Sequence, residues 1–334
     1  MLNPMALVVL LFTLSQGQAL AVTLKIATLS PDGSFWMQKM REGAQQVAEQ
    51  TDNRVKFKFY PGGVMGDDKG VLRKMRFGQL HGAALTSGGL SSIFPDIQLY
   101  SLLLKFNSLE EIDYVRAKMD QQLMQGLEDN GIVTLGFAEI GLAYLMATIP
   151  IASIDDMRNQ KAWVPDDNYI ALAALEALSV SPIPLPIRDV LMGLQTGMIN
   201  VVAGSPVGAL ALQWHTKVKY ATDLPLSYIF GVFAINKKAF NKISEADQKI
   251  VRKIMTAVAK QVDKQNRQDN IAAMAALKNQ GIEFITPTPE ATKELRRLIA
   301  SANEKLKKTG RLTPQMVDTL DKHIADYRVQ QAGQ

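Results

Sequence analysis

Apolar and polar residues alternate with period two over Thr23-Leu-Lys-Ile-Ala-Thr28, the mark of a half-buried strand. The period then changes: within Phe35 to Gln50, Trp36, Met40, Ala44, Val47 and Ala48 recur at helical spacing. Period two returns over Arg54-Val-Lys-Phe-Lys-Phe-Tyr60. Strand, helix, strand predicts a parallel pair with a right-handed crossover. A Gly-rich turn, Pro61-Gly-Gly-Val-Met-Gly66, leads into a predicted helix from Asp68 to Phe77 whose Leu72, Met75 and Phe77 can face inward. Its Arg73, Lys74 and Arg76 read as a solvated face, with a docking patch as the alternative. Further on, Ser108-Leu-Glu-Glu111 reads as a capping box, Asn130-Gly131 supplies a left-handed exit, and Ile132 to Phe137 reads as a strand. A second alternating block runs through Ala162 to Val164, Tyr169 to Leu178, Ser181 to Leu185, a helix from Arg188 to Thr196 and a strand at Met198 to Ala203. Two such blocks predict two α/β domains.

Ser244 to Gln280 opens with the capping pattern Ser244-Glu-Ala-Asp247, places Ile250, Ile254, Val258 and Val262 at i, i+4 spacing, contains neither Gly nor Pro, and stops at Gly281. Unbroken, it would reach about 50 Å, long enough to lie across both domains. Two shorter helices with a kink near Arg267 to Asn270 are the alternative.

At the front end, residues 1–21 carry no charged side chain and run from Leu7-Val-Val-Leu-Leu-Phe12 into Ala19-Leu20-Ala21. A short apolar core before an Ala-x-Ala arrangement predicts a secretory signal cleaved after Ala21. A membrane anchor fits less well, because Ser15, Gln16, Gly17 and Gln18 interrupt the run and a span needs about 20 apolar residues. The expectation is a periplasmic protein.

Composition narrows the chemistry. The 334 residues include three His and no Cys, which removes disulfides, thiolate metal sites and thiol nucleophiles. A net charge of +5 is far from the basic stripe that a nucleic-acid binder needs. Gly204-Ser-Pro-Val-Gly208 is not a nucleophile elbow, and the chain contains no Walker loop and no dinucleotide fingerprint after its first strand. Asp67-Asp68, Asp155-Asp156 and Asp166-Asp167 read as helix caps or turns before they read as cation ligands. His81, His215 and His323 lack a matching nucleophile. Neither a cofactor nor a metal is expected, and an enzyme is disfavoured.

The run Tyr60-Pro-Gly-Gly-Val-Met-Gly66 resembles the substrate-binding proteins of TRAP transporters. The likeness continues through Gly78-Gln-Leu-His-Gly-Ala-Ala84, Phe94-Pro95, Ser153-Ile-Asp-Asp-Met157, Lys161-Ala-Trp-Val-Pro165, Leu194-Gln-Thr-Gly-Met-Ile199, Asn236 and Ile243-Ser-Glu-Ala-Asp-Gln248. The resemblance implies a two-lobed periplasmic-binding-protein fold, here 22–143 plus 232–262 and 144–231 plus 263–334, with a long helix crossing both lobes. It also implies TRAP permease membrane subunits as partners. Most members carry Arg where this chain has Trp163, and that Arg binds a ligand carboxylate through two parallel N–H bonds. Indole offers one neutral donor and an apolar face. By the same alignment Ala143 replaces a second Arg and Ser205 an Asn. Gly62-Gly-Val-Met-Gly-Asp-Asp68, Arg73-Lys-Met-Arg-Phe-Gly-Gln-Leu80, Trp163 with Asp166, and Gln213-Trp214 are similar to the branch associated with a periplasmic tetratricopeptide-repeat protein. That branch implies an uncharged or apolar ligand.

The expected lining of the interlobe cleft is Phe35 and Trp36, Thr86 and Ser87, Leu142 and Tyr144, with Trp163, Ile187, Ser205 and Trp214. Strand-to-helix junctions are where open α/β sheets place ligands, while the aromatic residues among them can equally fill a core. The function expected is capture of a largely apolar small molecule and its delivery to the permease. An organic-acid receptor with a non-standard site and a sensor or carrier of the same fold are the alternatives.

Overall fold

The computed structural model describes residues 21–166 and 168–333; the signal-peptide expectation and Asp167 therefore lie outside the described residues, apart from Ala21. Among the described residues no helix is long and apolar enough to cross a membrane.

The first half opens with β1 (Val22–Thr28), α1 (Phe35–Gln50), β2 (Val55–Tyr60), α2 (Asp68–Arg76) and β3 (Gly82–Thr86). β1 pairs in parallel with both β2 and β3, the crossover that the alternating periods predict. The phase of two helices differs from expectation. α1 buries Met37, Met40, Gly43 and Val47, one register along from Trp36, Ala44 and Ala48. α2 buries Val71 and Met75, while Phe77 is its C-cap and 72% exposed. Two residues past Met75, Phe77 sits about 200° round the helix, on the opposite side. A 3-10 turn at Pro95–Ser101 leads to α3 (Leu109–Asp129) and β4 (Ile132–Ala147). The Ser108 hydroxyl caps α3 by accepting from the Glu111 N–H, and Gly131 takes φ +86 beyond its end. The Glu111 carboxylate accepts from Asn107, one residue before the cap, so the box is not closed reciprocally.

The second half contains α4 (Ile154–Met157), β5 (Ala162–Val164), α5 (Tyr169–Ala177), β6 (Pro182–Pro184), α6 (Val190–Thr196), β7 (Val201–Gly204) and α7 (Pro206–Ala211). Two prolines are tolerated in β6 because it lies at a sheet edge. Then come β8 (Tyr220–Thr222), β9 (Ser227–Asn236), α8 (Lys237–Phe240), α9 (Glu245–Asn279), β10 (Glu283–Ile285), α10 (Pro289–Lys308) and α11 (Pro314–Ala332).

β4 joins the two halves. Its residues from Ile132 to Ala143 pair antiparallel with β9, and Tyr144 to Ala147 pair with β7. The strand order β2-β1-β3-β9-β4-β7-β5-β6 thus runs through both lobes, with β8 and β10 attached at the far end of β4. The register of β4 against β9 shifts between Thr134 and Phe137 and again between Glu139 and Gly141. Gly136 and Gly141 sit at those shifts with φ +155 and +125. A Cβ on Gly136 would come within 2.5 Å of Ala259, and one on Gly141 within 2.5 Å of Asn270. The two glycines therefore bend the strand and let α9 lie directly on it.

α9 is one continuous helix of 35 residues, so the kinked alternative is not realised. Ile254, Met255, Val258 and Val262 pack into the core of the first lobe, and Leu277 into that of the second. α10 packs beside α5, whereas α11 lies against α3 of the first lobe, its Val317, Leu320 and Ile324 joining that core.

At the start of α9 the Asp247 carboxylate, only 2% exposed, accepts from Nε and Nη2 of Arg54, each at 2.9 Å. This fork, with the Ser244 cap, holds Asp247 below the usual carboxylate range. A depressed native pKa contributes stability that is present above the unfolded value of about 3.9 and lost as pH falls through the native one. Asp247→Asn should therefore lower the melting temperature at pH 7, by an amount that shrinks below about pH 4. A deficit that stays constant from pH 7 to pH 3 would show that the charge is not its source.

Candidate functional site

The short strand β5 is followed by the turn to α5, and its central residue is Trp163, 7% exposed. The indole N–H donates to the Leu185 carbonyl just past β6 at 2.9 Å. Its ring meets Trp214 edge to face, with centroids 5.2 Å apart and planes at 72°. Trp214 is 2% exposed and stacks over Gly204 at the end of β7. Its own N–H has no hydrogen-bond partner among the described residues. Ile187 packs on the same cluster. Ser205, next to Gly204, is buried and uses its hydroxyl to cap α7 by accepting from the Gly208 N–H at 3.1 Å.

The remaining expected residues stand elsewhere. Phe35 and Trp36 are half-buried against the core between the first-lobe sheet and α9. Thr86 ends β3 and donates to the Asp68 carboxylate at 2.7 Å, while Ser87 is buried and bonds Ser101. Leu142 and Tyr144 line a groove of about 390 Å³ with Pro206, Arg267 and Asn270. Trp163, Trp214, Ile187 and Ser205 are thus brought together in the second lobe, Thr86 and Ser87 stand in the first, and Leu142 and Tyr144 lie on the strand that joins them. Two of the acidic pairs have structural roles. Asp67 caps α2, Asp156 closes a reciprocal capping box with Ser153, and Asp155 pairs with Arg158. Among the described residues no group of three or more His, Asp or Glu is placed to hold a metal.

The lobes touch through α5. Its Tyr169 hydroxyl donates to the Pro95 carbonyl at 2.7 Å, and Ile170 is buried in the first-lobe core. Burial, with Asp96 nearby, pushes the Tyr169 hydroxyl up from its ordinary pKa, which keeps it a donor.

Sequence reasoning missed one feature. Between the second-lobe sheet and helices α5 and α10 lies a cavity of about 120 Å³, lined by side chains such as Leu145, Ile154, Met157, Ala174, Leu178 and Leu295 and bordered by Trp163. Helix α5 carried the signal: Tyr169-Ile-Ala-Leu-Ala-Ala-Leu-Glu-Ala177 holds one charged residue, Glu176, and a helix apolar on all sides must be covered on all sides.

Comparison with known proteins agrees with this geometry. The chain is 25% identical over 247 residues to the uncharacterized protein YiiZ of Salmonella typhimurium, covering 72% of this chain and 74% of that one. It is 20% identical over 305 residues to the sialic acid-binding periplasmic protein SiaP of Vibrio cholerae, covering 88% and 92%. Among solved structures, a TRAP periplasmic solute-binding protein from Haemophilus influenzae with bound L-gulonate superposes with a TM-score of 0.84 at 16% identity, covering 90% of this chain and 99% of that one. Residues 26–309 match the bacterial extracellular solute-binding proteins of family 7. With two α/β lobes joined by a shared strand and one long helix, and with that match along most of its length, the chain belongs to the DctP family of TRAP solute-binding receptors, which are not enzymes.

Proposed function

We propose that this receptor takes an uncharged or largely apolar small molecule between its lobes and delivers it to the membrane subunits of a TRAP permease, with a periplasmic tetratricopeptide-repeat protein as a further partner. The lobes are 22–143 plus 232–262 and 144–231 plus 263–334, α11 reaching back from the second to clasp the first. The cleft is lined by Phe35 and Trp36, Thr86 and Ser87, Leu142 and Tyr144, and Trp163 with Ile187, Ser205 and Trp214. Ligand burial favours the closed arrangement by its differential affinity for it.

One observation carries this reading. The N–H of Trp163 is spent on the Leu185 carbonyl, so the position offers an anion neither a charge nor a free donor. Burying about 300 Å² of apolar ligand surface is worth roughly 7 kcal/mol before ordering costs, which suits micromolar or weaker affinity. The names of relatives favour a second reading, since SiaP is named for sialic acid and the Haemophilus influenzae protein was solved with L-gulonate.

Native mass spectrometry of gently purified protein, with solvent extraction of bound material and titration against C4 dicarboxylates and sugar acids, separates the two. An apolar adduct without acid binding is expected; tight acid binding without such an adduct would replace the first reading by the second. Trp163→Arg restores a planar cation. A charge-assisted bond is worth about 1.5–3 kcal/mol, so the variant should gain roughly tenfold to hundredfold in dicarboxylate affinity by calorimetry. No gain would mean that the site differs from its relatives at more than this residue.

A further inference from the structure

Among the described residues no charged side chain lines the second-lobe cavity. Of its three wall hydroxyls two are already committed, Ser153 donating to Asp156 at 2.9 Å and Thr222 to the Ile151 carbonyl at 2.8 Å, which leaves that of Thr292. A buried water needs two to four polar partners, and an engineered aliphatic cavity of about 150 Å³ stays dry and admits benzene. The space here is of that order and of that chemistry.

A second observation lies in the wall itself. Leu103 and Leu104, from the segment that leaves the first-lobe turn at Pro95–Ser101, form part of it. Leu104 has φ +53, a left-handed conformation that bulky side chains rarely adopt and that tends to mark functional positions. It is held there by its N–H on the Leu226 carbonyl at 2.6 Å and by Arg296 donating to its own carbonyl at 3.2 Å. The side chain of Asn303 donates to the Leu103 carbonyl at 3.2 Å. A strained first-lobe segment thus covers an apolar chamber of the second lobe.

We propose that this cavity is a second binding site, for a short alkyl or aryl group, with Leu103 and Leu104 as its cover. This site is separate from the cleft in which the transported solute is proposed to sit. Ala162 belongs to the apolar cluster with Ala174, Leu178 and Val201, whereas its neighbour Trp163 belongs to the cluster with Trp214 and Val190. Successive strand residues point to opposite faces, so Ala162 turns its side chain to the chamber while the Trp163 indole packs on Trp214, although Trp163 also borders the chamber wall.

The test is calorimetric titration of the full chain with n-hexanol and with benzene, alongside Ala174→Leu and Ala171→Leu, which extend side chains from α5 into the space. Saturable binding is expected in the parent, on the order of millimolar, and at least tenfold weaker in Ala174→Leu. Methyl NMR of the parent protein needs no variant to fold: hexanol should move the signals of Leu145, Leu178 and Leu295 and leave Leu194, in the opposite cluster, in place. The proposal is overturned if neither probe saturates, if both variants bind like the parent, or if probe binding survives Ala174→Leu and vanishes in Trp163→Arg. Tight binding of a sugar acid would remove the apolar-solute reading while leaving the probe result intact, which distinguishes the two failures.

Discussion

Replacing Arg267 with methionine should lower the stability of the protein by about 3–5 kcal/mol, because it strands a buried carboxylate. Glu139 lies in the middle of β4 and is 1% exposed. Arg267 reaches it from α9 through Nε at 2.9 Å and Nη2 at 2.6 Å, and binds Asp113 of α3 with both terminal nitrogens at 2.6 Å. The Tyr228 hydroxyl adds a contact from β9 at 3.3 Å. Beside this pair, Arg116 bonds Tyr228 at 2.8 Å and Asp263 at 3.1 Å, and Asp263 accepts from the Glu139 N–H. The cluster therefore pins α3, β4, β9 and α9 together where the chain passes between the lobes. Burial pushes the Glu139 carboxyl above its ordinary pKa, and Arg267 is the main influence pulling it back. Without Arg267 the native value rises further above the unfolded one. A raised carboxyl contributes stability below the unfolded pKa of about 4.3 that is lost as pH rises through the native pKa. The deficit of Arg267→Met should thus be largest at neutral pH and shrink on acidification. Urea unfolding at pH 7 and pH 4 checks both parts; a deficit under about 1 kcal/mol at pH 7 would mean that Glu139 finds another partner.

Trp163→Ala should cost a further 3–5 kcal/mol or so on its own, the usual penalty for removing a buried indole. The loss has separable parts: the transfer energy of the ring, the space left against Val190 and Trp214, and the Leu185 carbonyl left without its donor. The edge-to-face contact with Trp214 adds about 0.5–1.5 kcal/mol beyond burial, so Trp163→Ala and Trp214→Ala should be less than additive by that amount in a double-mutant cycle. Strict additivity would show that the rings merely share a core.

Much of this architecture was legible because it is local. The start of α9 was written in Ser244 and Asp247, and its end at Gly281. The pair β5 and β6 with α5 between them followed from period and length alone. β4 was legible only as far as Phe137, since Glu139 and Gly141 break an apolar strand pattern. Glu139 belongs there only because Arg267, 128 residues later, neutralises it. Trp163 is a comparable case: the residue type excluded a carboxylate clamp, but that its donor was already taken depended on a carbonyl 22 residues away. The chamber beneath α5 was hidden for the same reason, its walls coming from segments as distant as Leu103 and Leu295.

The edges of the shared sheet bear on how the receptor meets other proteins. At one end β2 presents Lys56 and Lys58, both exposed. At the other, β6 is Pro-Ile-Pro, and the side branch ends in β10, three residues long with Glu283 exposed. Lysines, prolines and short strands deny an incoming chain a continuous row of backbone donors and acceptors. The receptor is thereby guarded against growing its sheet into a neighbour. Its encounters are left to helix faces and the rims of the lobes.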